Sequence, residues 1–177
     1  MGQKSKLKKI KKMALKKKNE EEIEEVYESS TSSAEQERRI LKSTFKPPFQ
    51  VILDTNFIND CIRKKKDLEQ TISECLDGEV QLYVPECVFG ELEKLGRVYR
   101  LALNLIRGVK HEVLKCDHKG VYADDCIINR IKESKNFIIA TTDTNLKQRI
   151  KKVPIVPIVY FRGNKCVSER FAGGSLY

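Results

Sequence analysis

The chain has 177 residues, of which 40% are hydrophobic and 33% are charged, and its formal net charge is +9. It contains no apolar run near the ~20 residues that span a bilayer and no apolar segment behind its N-terminal lysines, so we expect a soluble protein that is neither secreted nor membrane-bound. Six cysteines without a secretion signal indicate a reducing compartment, where cysteine and histidine clusters hold metal more often than they form disulfides.

The positive charge is concentrated at the start of the sequence. Nine of the 34 basic residues and no acidic residue lie within residues 1–18, which leaves 25 basic and 25 acidic residues elsewhere. Such a block is typical of a nucleic-acid-binding arm, a nuclear or nucleolar signal, or both, although a tail that only aids solubility has the same composition. The candidate RNA contacts in this block are Lys8, Lys9, Lys11 and Lys12.

An acidic and serine-rich segment follows the basic block. Six glutamates in residues 19–28, and the serines after them, predict a flexible linker. Pro47 and Pro48 then stop any helix. The sequence therefore predicts two parts: a flexible extension, first basic and then acidic, over residues 1–46, and a folded domain over residues 47–177.

Short apolar runs alternate with helical patterns beyond Pro48. The alternation predicts strands at 50–54, 80–85, 111–116, 137–141 and 155–161, one or two helices at 56–77, and single helices at 86–106, 123–134 and 144–151. This order is typical of a parallel sheet that is covered by helices on both faces. We therefore predict a three-layer α/β/α domain with a central, mainly parallel sheet.

Two of the predicted strands deliver an aspartate at their carboxyl ends. Asp54 closes the strand at 50–54, and Asp143 follows the strand at 137–141. Functional side chains of parallel sheets gather at the carboxyl ends of the strands, so both carboxylates are expected at one edge of the sheet. The alternative is that each aspartate only caps the helix that follows it.

Two predicted helices supply further acids. Glu91 lies beside the apolar stripe of the helix at 86–106, although on its own it would be interpreted as a solvated residue. Asp124 precedes three isoleucines of its helix by three, four and seven positions and therefore shares their inward face. Asp125 is rotated from it by about 100°, so Asp124 is the stronger candidate and Asp125 the second.

Clustered carboxylates of this kind need a counter-charge. Two of them ~5 Å apart repel by roughly 3 kcal/mol at an effective dielectric constant of 20, and protons or divalent cations must relieve that repulsion. Ligands that are all oxygen favour Mg²⁺ or Mn²⁺. One or two such ions can clamp a phosphodiester and lower the pKa of a bound water. The sequence therefore indicates a phosphodiester-cleaving metal site.

Four segments of the domain resemble PIN-domain nucleases: VILDTNFI, VPECVFGELEKLG, KGVYADDCIINRI and IIATTDTNLKQRI. CDHKGVYADDC and KKVPIVPIVY are similar, more specifically, to the rRNA-processing PIN endonucleases of the small-subunit processome, and the likeness runs from about Pro47 to Phe161. The resemblance implies a PIN-like fold and metal-dependent cleavage of pre-rRNA on the way to 18S rRNA in the nucleus and nucleolus. It also implies ribosome-assembly proteins and a guide snoRNA as partners.

By position, the resemblance assigns the family's acidic cluster to four residues: Asp54, Glu91, Asp124 and Asp143. It implies that the three aspartates hold Mg²⁺ or Mn²⁺ and that the glutamate helps to place a second ion or the attacking water. Thr55 and Asn56 match the neutral residues that follow the first aspartate and orient ligands. Asn145 stands where some PIN proteins have a further aspartate, which would weaken a second metal site.

Two other functions fit the same fold. The first is a non-catalytic rRNA-binding assembly factor, although all four acidic positions are filled, which favours activity. The second is a phosphotransferase with Asp54 as an aspartyl nucleophile. That chemistry usually has a second aspartate two positions later, where this sequence has Asn56.

Cysteine and histidine residues predict a second, structural metal site. Cys116, His118 and Cys126 are closely spaced, and Cys87 lies 29 positions before Cys116. Helical phase turns Cys126 about 200° from Asp124, so one helix can serve a thiol site and a carboxylate site. Four such ligands suit tetrahedral Zn²⁺, and the processome PIN proteins are similar in this set, although buried cysteines are often small hydrophobes only. The remaining cysteines are interpreted as core or incidental: Cys61, Cys75 and Cys166.

Basic residues follow the Asp143 turn and are candidate contacts to the RNA backbone. Phosphate binding near a cleavage site needs such charges, although a solvated helix face has the same composition. The candidates lie one or two helical turns beyond the aspartate: Lys147, Arg149, Lys151 and Lys152.

Overall fold

A computed structural model describes residues 44–94, 96–116 and 122–170. Nearly all of the predicted extension over residues 1–46 lies outside these residues, as do four of the candidate RNA contacts and one candidate zinc ligand: Lys8, Lys9, Lys11, Lys12 and His118. No helix within the described part of the chain is both long and apolar enough to cross a membrane.

Strands and helices alternate through the described domain. In chain order the elements are β1 (Phe49–Leu53), α1 (Thr55–Arg63), α2 (Leu68–Leu76), β2 (Val80–Pro85), α3 (Glu86–Lys94), a 3₁₀ turn (Gly96–Tyr99), α4 (Arg100–Gly108), β3 (His111–Leu114), α5 (Ala123–Glu133), β4 (Phe137–Ala140), α6 (Thr144–Lys151), β5 (Ile158–Arg162) and β6 (Lys165–Glu169). The strands form one six-stranded sheet in the order β3-β2-β1-β4-β5-β6, in which only β6 runs antiparallel to its neighbour.

The central strands are buried on both faces. Val51 and Leu53 of β1 belong to one hydrophobic cluster, whereas Ile52 between them belongs to the other. Successive side chains of a strand point to opposite faces, so a continuous apolar run supplies both clusters. Each fully buried aliphatic side chain of this kind contributes about 1.5–3 kcal/mol.

Helices cover both faces of the sheet. Phe57 of α1 and Ile106 of α4 are fully buried in the first cluster, and Ile127 of α5 and Leu146 of α6 are fully buried in the second. The predicted three-layer fold with a mainly parallel sheet is confirmed.

The strand order reverses between β1 and β4. From β1 the chain continues to β2 and β3 on one side of the sheet, and from β4 it continues to β5 on the other. The helices that leave these two neighbouring strands therefore pack on opposite faces, and a crevice opens between their first turns. Leu53 pairs with Ala140 at the end of the two strands, and the Asp54 N–H donates to the Ala140 carbonyl at 3.1 Å.

Two predicted elements were wrong in extent. The single helix predicted over 86–106 is interrupted after Lys94, because Gly96 has a φ of 71°, in the left-handed region that ends helices. The last predicted strand, at 155–161, begins only at Ile158.

The antiparallel strand β6 was not predicted. Gly163, with a φ of 63°, opens the two-residue loop of the β5–β6 hairpin, within which Arg162 pairs with Lys165. A glycine at the first position of such a loop is the local sequence signal for this hairpin.

Candidate functional site

Asp54 is a buried carboxylate at the carboxyl end of β1. It is only 1% exposed, and although it occupies the N-cap position of α1, its side chain makes no capping hydrogen bond. Its Oδ2 instead accepts a hydrogen bond of 2.7 Å from Oγ1 of Thr141, a fully buried residue that follows β4. The alternative interpretation of Asp54 as a helix cap is therefore wrong.

Asp143 does cap a helix, but with one oxygen only. Its Oδ1 accepts hydrogen bonds from the backbone N–H groups of Asn145 at 2.6 Å and Leu146 at 3.0 Å, at the start of α6. Its Oδ2 lies 3.5 Å from Nδ2 of Asn56. Thr141 Oγ1 also accepts from the Asp143 N–H at 3.1 Å, so one hydroxyl connects the two aspartates. Oδ2 takes no part in the helix cap.

Glu91 joins three helices. Its Oε2 accepts a hydrogen bond of 2.9 Å from the Thr55 hydroxyl in α1, and its Oε1 accepts one of 3.2 Å from the Ala123 N–H in α5. Both donors lie at helix N-termini, where the helix dipole favours a negative charge. The glutamate is therefore held in place by the first turns of two other helices.

Asp54 and Glu91 line one cavity of about 340 Å³ at the reversal point of the sheet. Asp143 adjoins this cavity through its contact with Asn56. Asp125 is exposed and sits at the cavity with Asp124, which is half-buried. The lining residues are Asp54, Asn56, Glu91, Tyr122, Ala123, Asp124, Asp125 and Arg149.

The carboxylates disturb one another's ionisation. Burial raises the pKa of Asp54 to about 6, and the charges of Asp124 and Glu91 add to that rise, whereas hydrogen bonds from the Thr141 hydroxyl and the Thr55 backbone N–H oppose it. Burial also raises the pKa of Asp124, with contributions from Asp143 and Glu91. Such a cluster favours the binding of either a proton or a cation near neutral pH.

The basic residues of α6 differ in their surroundings. Arg149 lines the acidic cavity and forms an ion pair with Asp125. Lys147 lies over the ring of Tyr160, with Nζ 4.5 Å from the ring centroid, and Lys151 pairs with Glu169 at 2.8 Å. Lys152, at the C-cap of the helix, is exposed. Of these four candidates, Arg149 is the one that lines the cavity.

Three thiols meet on the other side of α5. Cys116 Sγ lies 3.6 Å from Cys87 Sγ and 3.4 Å from Cys126 Sγ, and all three sulfurs lie within 4.8 Å of one another. The Cys116 N–H donates to Glu86 Oε2 at 3.0 Å, which holds the end of the β3 segment against the start of α3. Burial raises the pKa of the Cys126 thiol.

Sequence reasoning missed two residues of the acidic site. Thr141 was treated only as the end of a strand, although a polar residue at the end of an otherwise apolar run next to Asp143 is a usable signal. Tyr122 gave no signal, because its position at the cavity mouth depends on how the chain enters α5.

A three-layer α/β domain with acidic side chains at the reversal point of its sheet has the architecture of a PIN-like domain. Comparison with solved structures agrees: this chain is 45% identical to the PIN domain endonuclease Utp24, with a TM-score of 0.68, over 73% of this chain and 98% of that chain.

Sequence comparison gives a more specific assignment. The Fcf1 family profile matches residues 74–170, and the chain belongs to the Fcf1 family. It is 46% identical to the rRNA-processing protein FCF1 of Saccharomyces cerevisiae over 125 residues, which are 71% of this chain and 66% of that protein. The match to the human homologue, at 44% identity, covers 70% of this chain and 63% of the human protein. These matches span just under two thirds of the relatives' own length.

A more distant relative is the ribonuclease VapC4 of Methanocaldococcus jannaschii. It is 28% identical over 123 residues, which cover 66% of this chain and 93% of that protein.

We predict that replacing Asp54 by Asn stabilises the metal-free protein at neutral pH. The folded-state pKa of about 6 lies above the ordinary value of 3.8, so the contribution of Asp54 to stability is fully present below pH ~4 and is lost as the pH rises through 6. At pH 7.5 the variant should exceed wild type by up to roughly 3 kcal/mol in its free energy of unfolding, and at pH 4 by much less. Urea unfolding in a chelator at the two pH values measures this difference.

The control for this prediction is Leu101→Ala, an exposed and non-titrating position of α4, which should shift stability equally at both pH values. A stability gain for Asp54→Asn that does not change with pH would contradict the assignment of a strained carboxylate.

Proposed function

We propose that this protein is a metal-dependent endoribonuclease that cleaves pre-rRNA. The observation that carries the proposal is the buried, non-capping carboxylate of Asp54, faced across one cavity by Glu91 and Asp124. Because burying a charge without compensation is costly, such an arrangement is maintained where a bound cation or a reaction uses it. The names of the FCF1 relatives, which describe rRNA processing, and of Utp24, which describes an endonuclease, support the substrate and the reaction.

The donor set fits Mg²⁺ or Mn²⁺. The charged groups that converge on the crevice are carboxylates with one guanidinium, and hard divalent cations prefer oxygen ligands. Asp54, Asp124 and Asp143 would hold the ion, and Glu91 would hold a second ion or orient water. A bound ion of this kind acidifies water and stabilises the charge that develops on a phosphodiester during cleavage to a 5′-phosphate and a 3′-hydroxyl.

The other side chains of the site position these carboxylates. Thr141 fixes Asp54 relative to Asp143, Thr55 holds Glu91, and Asn56 contacts Asp143. Arg149 supplies the positive charge at the cavity that a backbone phosphate needs.

The proposed setting is the maturation of 18S rRNA in the nucleolus. The lysine-rich block of residues 1–18 would bind RNA backbone or direct the protein to the nucleus. Ribosome-assembly proteins and a guide snoRNA of the small-subunit processome would supply the sequence specificity. The names of the relatives support the rRNA-processing part of this setting.

The central prediction concerns cleavage of a short pre-rRNA in Mn²⁺. Asp143→Asn should lower the cleavage rate by more than about 100-fold, because it removes a charge from the cation site. The helix cap should survive, since asparagine is as good an N-cap as aspartate. Gel analysis of end-labelled RNA measures the rate, and thermal unfolding checks the fold.

Asp67→Asn is the matched control, because Asp67 caps α2 through the Gln70 N–H as Asp143 caps α6. It should cleave at the wild-type rate. Equal rates for wild type and Asp143→Asn would contradict the proposed site. Wild-type protein that binds pre-rRNA without cutting it would favour the non-catalytic assembly factor.

We further propose that the three thiols hold structural Zn²⁺. Tetrahedral zinc with Zn–S bonds of ~2.3 Å separates its sulfurs by ~3.8 Å, close to the 3.4 and 3.6 Å found here. His118 is the proposed fourth ligand and lies outside the described residues. A closed site of this kind contributes to folding and leaves no position open for substrate.

The zinc proposal predicts about one equivalent of zinc in purified wild-type protein and far less in Cys116→Ser. Elemental analysis measures the content, and thermal unfolding should show a marked loss of stability in the variant, because three folded segments lose their common ligand. Cys75→Ser, a half-buried thiol outside the cluster, should retain zinc. Unchanged zinc content in Cys116→Ser would refute the site.

A further inference from the structure

Tyr122 is an exposed aromatic side chain at the mouth of the acidic cavity. It is 68% exposed, which is more than Leu101 or Val113, the other large hydrophobic residues that stand out to solvent in the described domain. Its backbone carbonyl accepts from the Cys126 N–H in the first turn of α5, so the residue is anchored to a helix. Within the described residues its side chain makes no hydrogen bond or ring contact. Among the described residues, therefore, neither a hydrogen bond nor a ring contact explains an aromatic ring at this position.

The composition of the cavity defines what this ring can bind. The remaining lining residues are four acids, one amide, one arginine and one alanine, so Tyr122 contributes the broad apolar face among them. A phosphate next to the acids needs cations, whereas a nucleobase is neutral and carries a π-face that stacks on an aromatic ring. The chemistry at the mouth of the cavity therefore suits a base next to a phosphate.

We propose that Tyr122 is the stacking platform for an unpaired nucleobase adjacent to the scissile phosphate. The inference rests on the proposed nuclease function and adds a residue that positions the substrate. Bases within an A-form duplex are covered on both faces by their neighbours, and only an unpaired base can expose a face to a side chain.

Arg149 gives the same nucleotide a second contact. It lines the cavity while it pairs with Asp125, and it remains partly exposed, with 41% of its side chain accessible. A phosphate of the bound strand can replace Asp125 as the partner of this guanidinium and accept a charge-assisted hydrogen bond from it. The ring and the guanidinium together match one base and one phosphate.

The test uses a single-stranded RNA 12-mer that carries 2-aminopurine at one position at a time. Binding is measured in the Asp143→Asn background with Mg²⁺, where the RNA stays intact. Stacking should quench the 2-aminopurine fluorescence at one position of the RNA when Tyr122 is present. Tyr122→Phe, which keeps the ring, should give the same quench. Tyr122→Leu should lose the quench and bind roughly 5- to 100-fold more weakly. The blunt-ended duplex of the same RNA should not be quenched.

Cleavage by protein with Asp143 intact gives an independent readout. Tyr122→Leu should raise KM by the same factor, roughly 5- to 100-fold, with little change in kcat. With wild-type protein, an RNA that has an abasic site at the quenched position should show the same increase in KM. The abasic result does not depend on how any variant folds. Leu101→Ala, a surface apolar change on α4, should leave quench and KM unchanged.

The outcomes separate the two proposals. If wild type cleaves the RNA and neither the Tyr122→Leu substitution nor the abasic site raises KM, the stacking role is overturned and the nuclease proposal stands. Equal quench on single-stranded and duplex RNA would also overturn it. If Tyr122→Leu abolishes a position-specific quench but wild-type protein does not cleave the RNA, the result supports stacking and refutes the nuclease.

Discussion

The hydrogen bond between Thr141 and Asp54 is the contact on which the acidic site depends. It crosses the point where the strand order reverses and joins the ends of two neighbouring parallel strands in a place without solvent. A carboxylate buried this deeply needs a donor, and the hydroxyl supplies one without neutralising the charge. The residual strain appears as the raised pKa of Asp54. The rest of the crevice is built around a negative charge that the protein alone leaves only partly compensated.

Helix α5 connects this crevice to the thiol cluster. Asp124 lines the acidic cavity, whereas Cys126, two positions later, meets the other thiols. Side chains two positions apart point about 200° from one another around a helix, so a single helix presents one side chain to each site. Asp124 and Cys126 therefore share one rigid element, which connects the geometry of the two sites. A zinc ion there would act on the carboxylate geometry from a distance, without contact with substrate.

The sequence allowed prediction of the three layers and of the sheet edge at which the acids gather, because period-2 and period-3.6 patterns are local. Asp124 was separated from Asp125 by helical phase, and the structure places Asp125 at the exposed rim, in contact with Arg149. The break after Lys94 was missed because the apolar stripe continues through a glycine whose left-handed conformation the pattern does not report. Thr141 was missed because its contact with Asp54 joins segments that are 87 positions apart in the sequence, and Tyr122 because its place at the cavity depends on how the chain enters α5.

Glu91 shows how far the site is formed before any ligand binds. Each of its oxygens accepts one hydrogen bond, from Thr55 and from the Ala123 N–H, and each keeps a second lone pair for a cation or water. The two oxygens of Glu91 are therefore fixed by the folded chain, which would lower the ordering entropy that binding a cation costs. The unliganded fold is destabilised instead, because the carboxylates around the buried Asp54 repel one another. Stability lost at this edge of the sheet would be the physical counterpart of the proposed cation site.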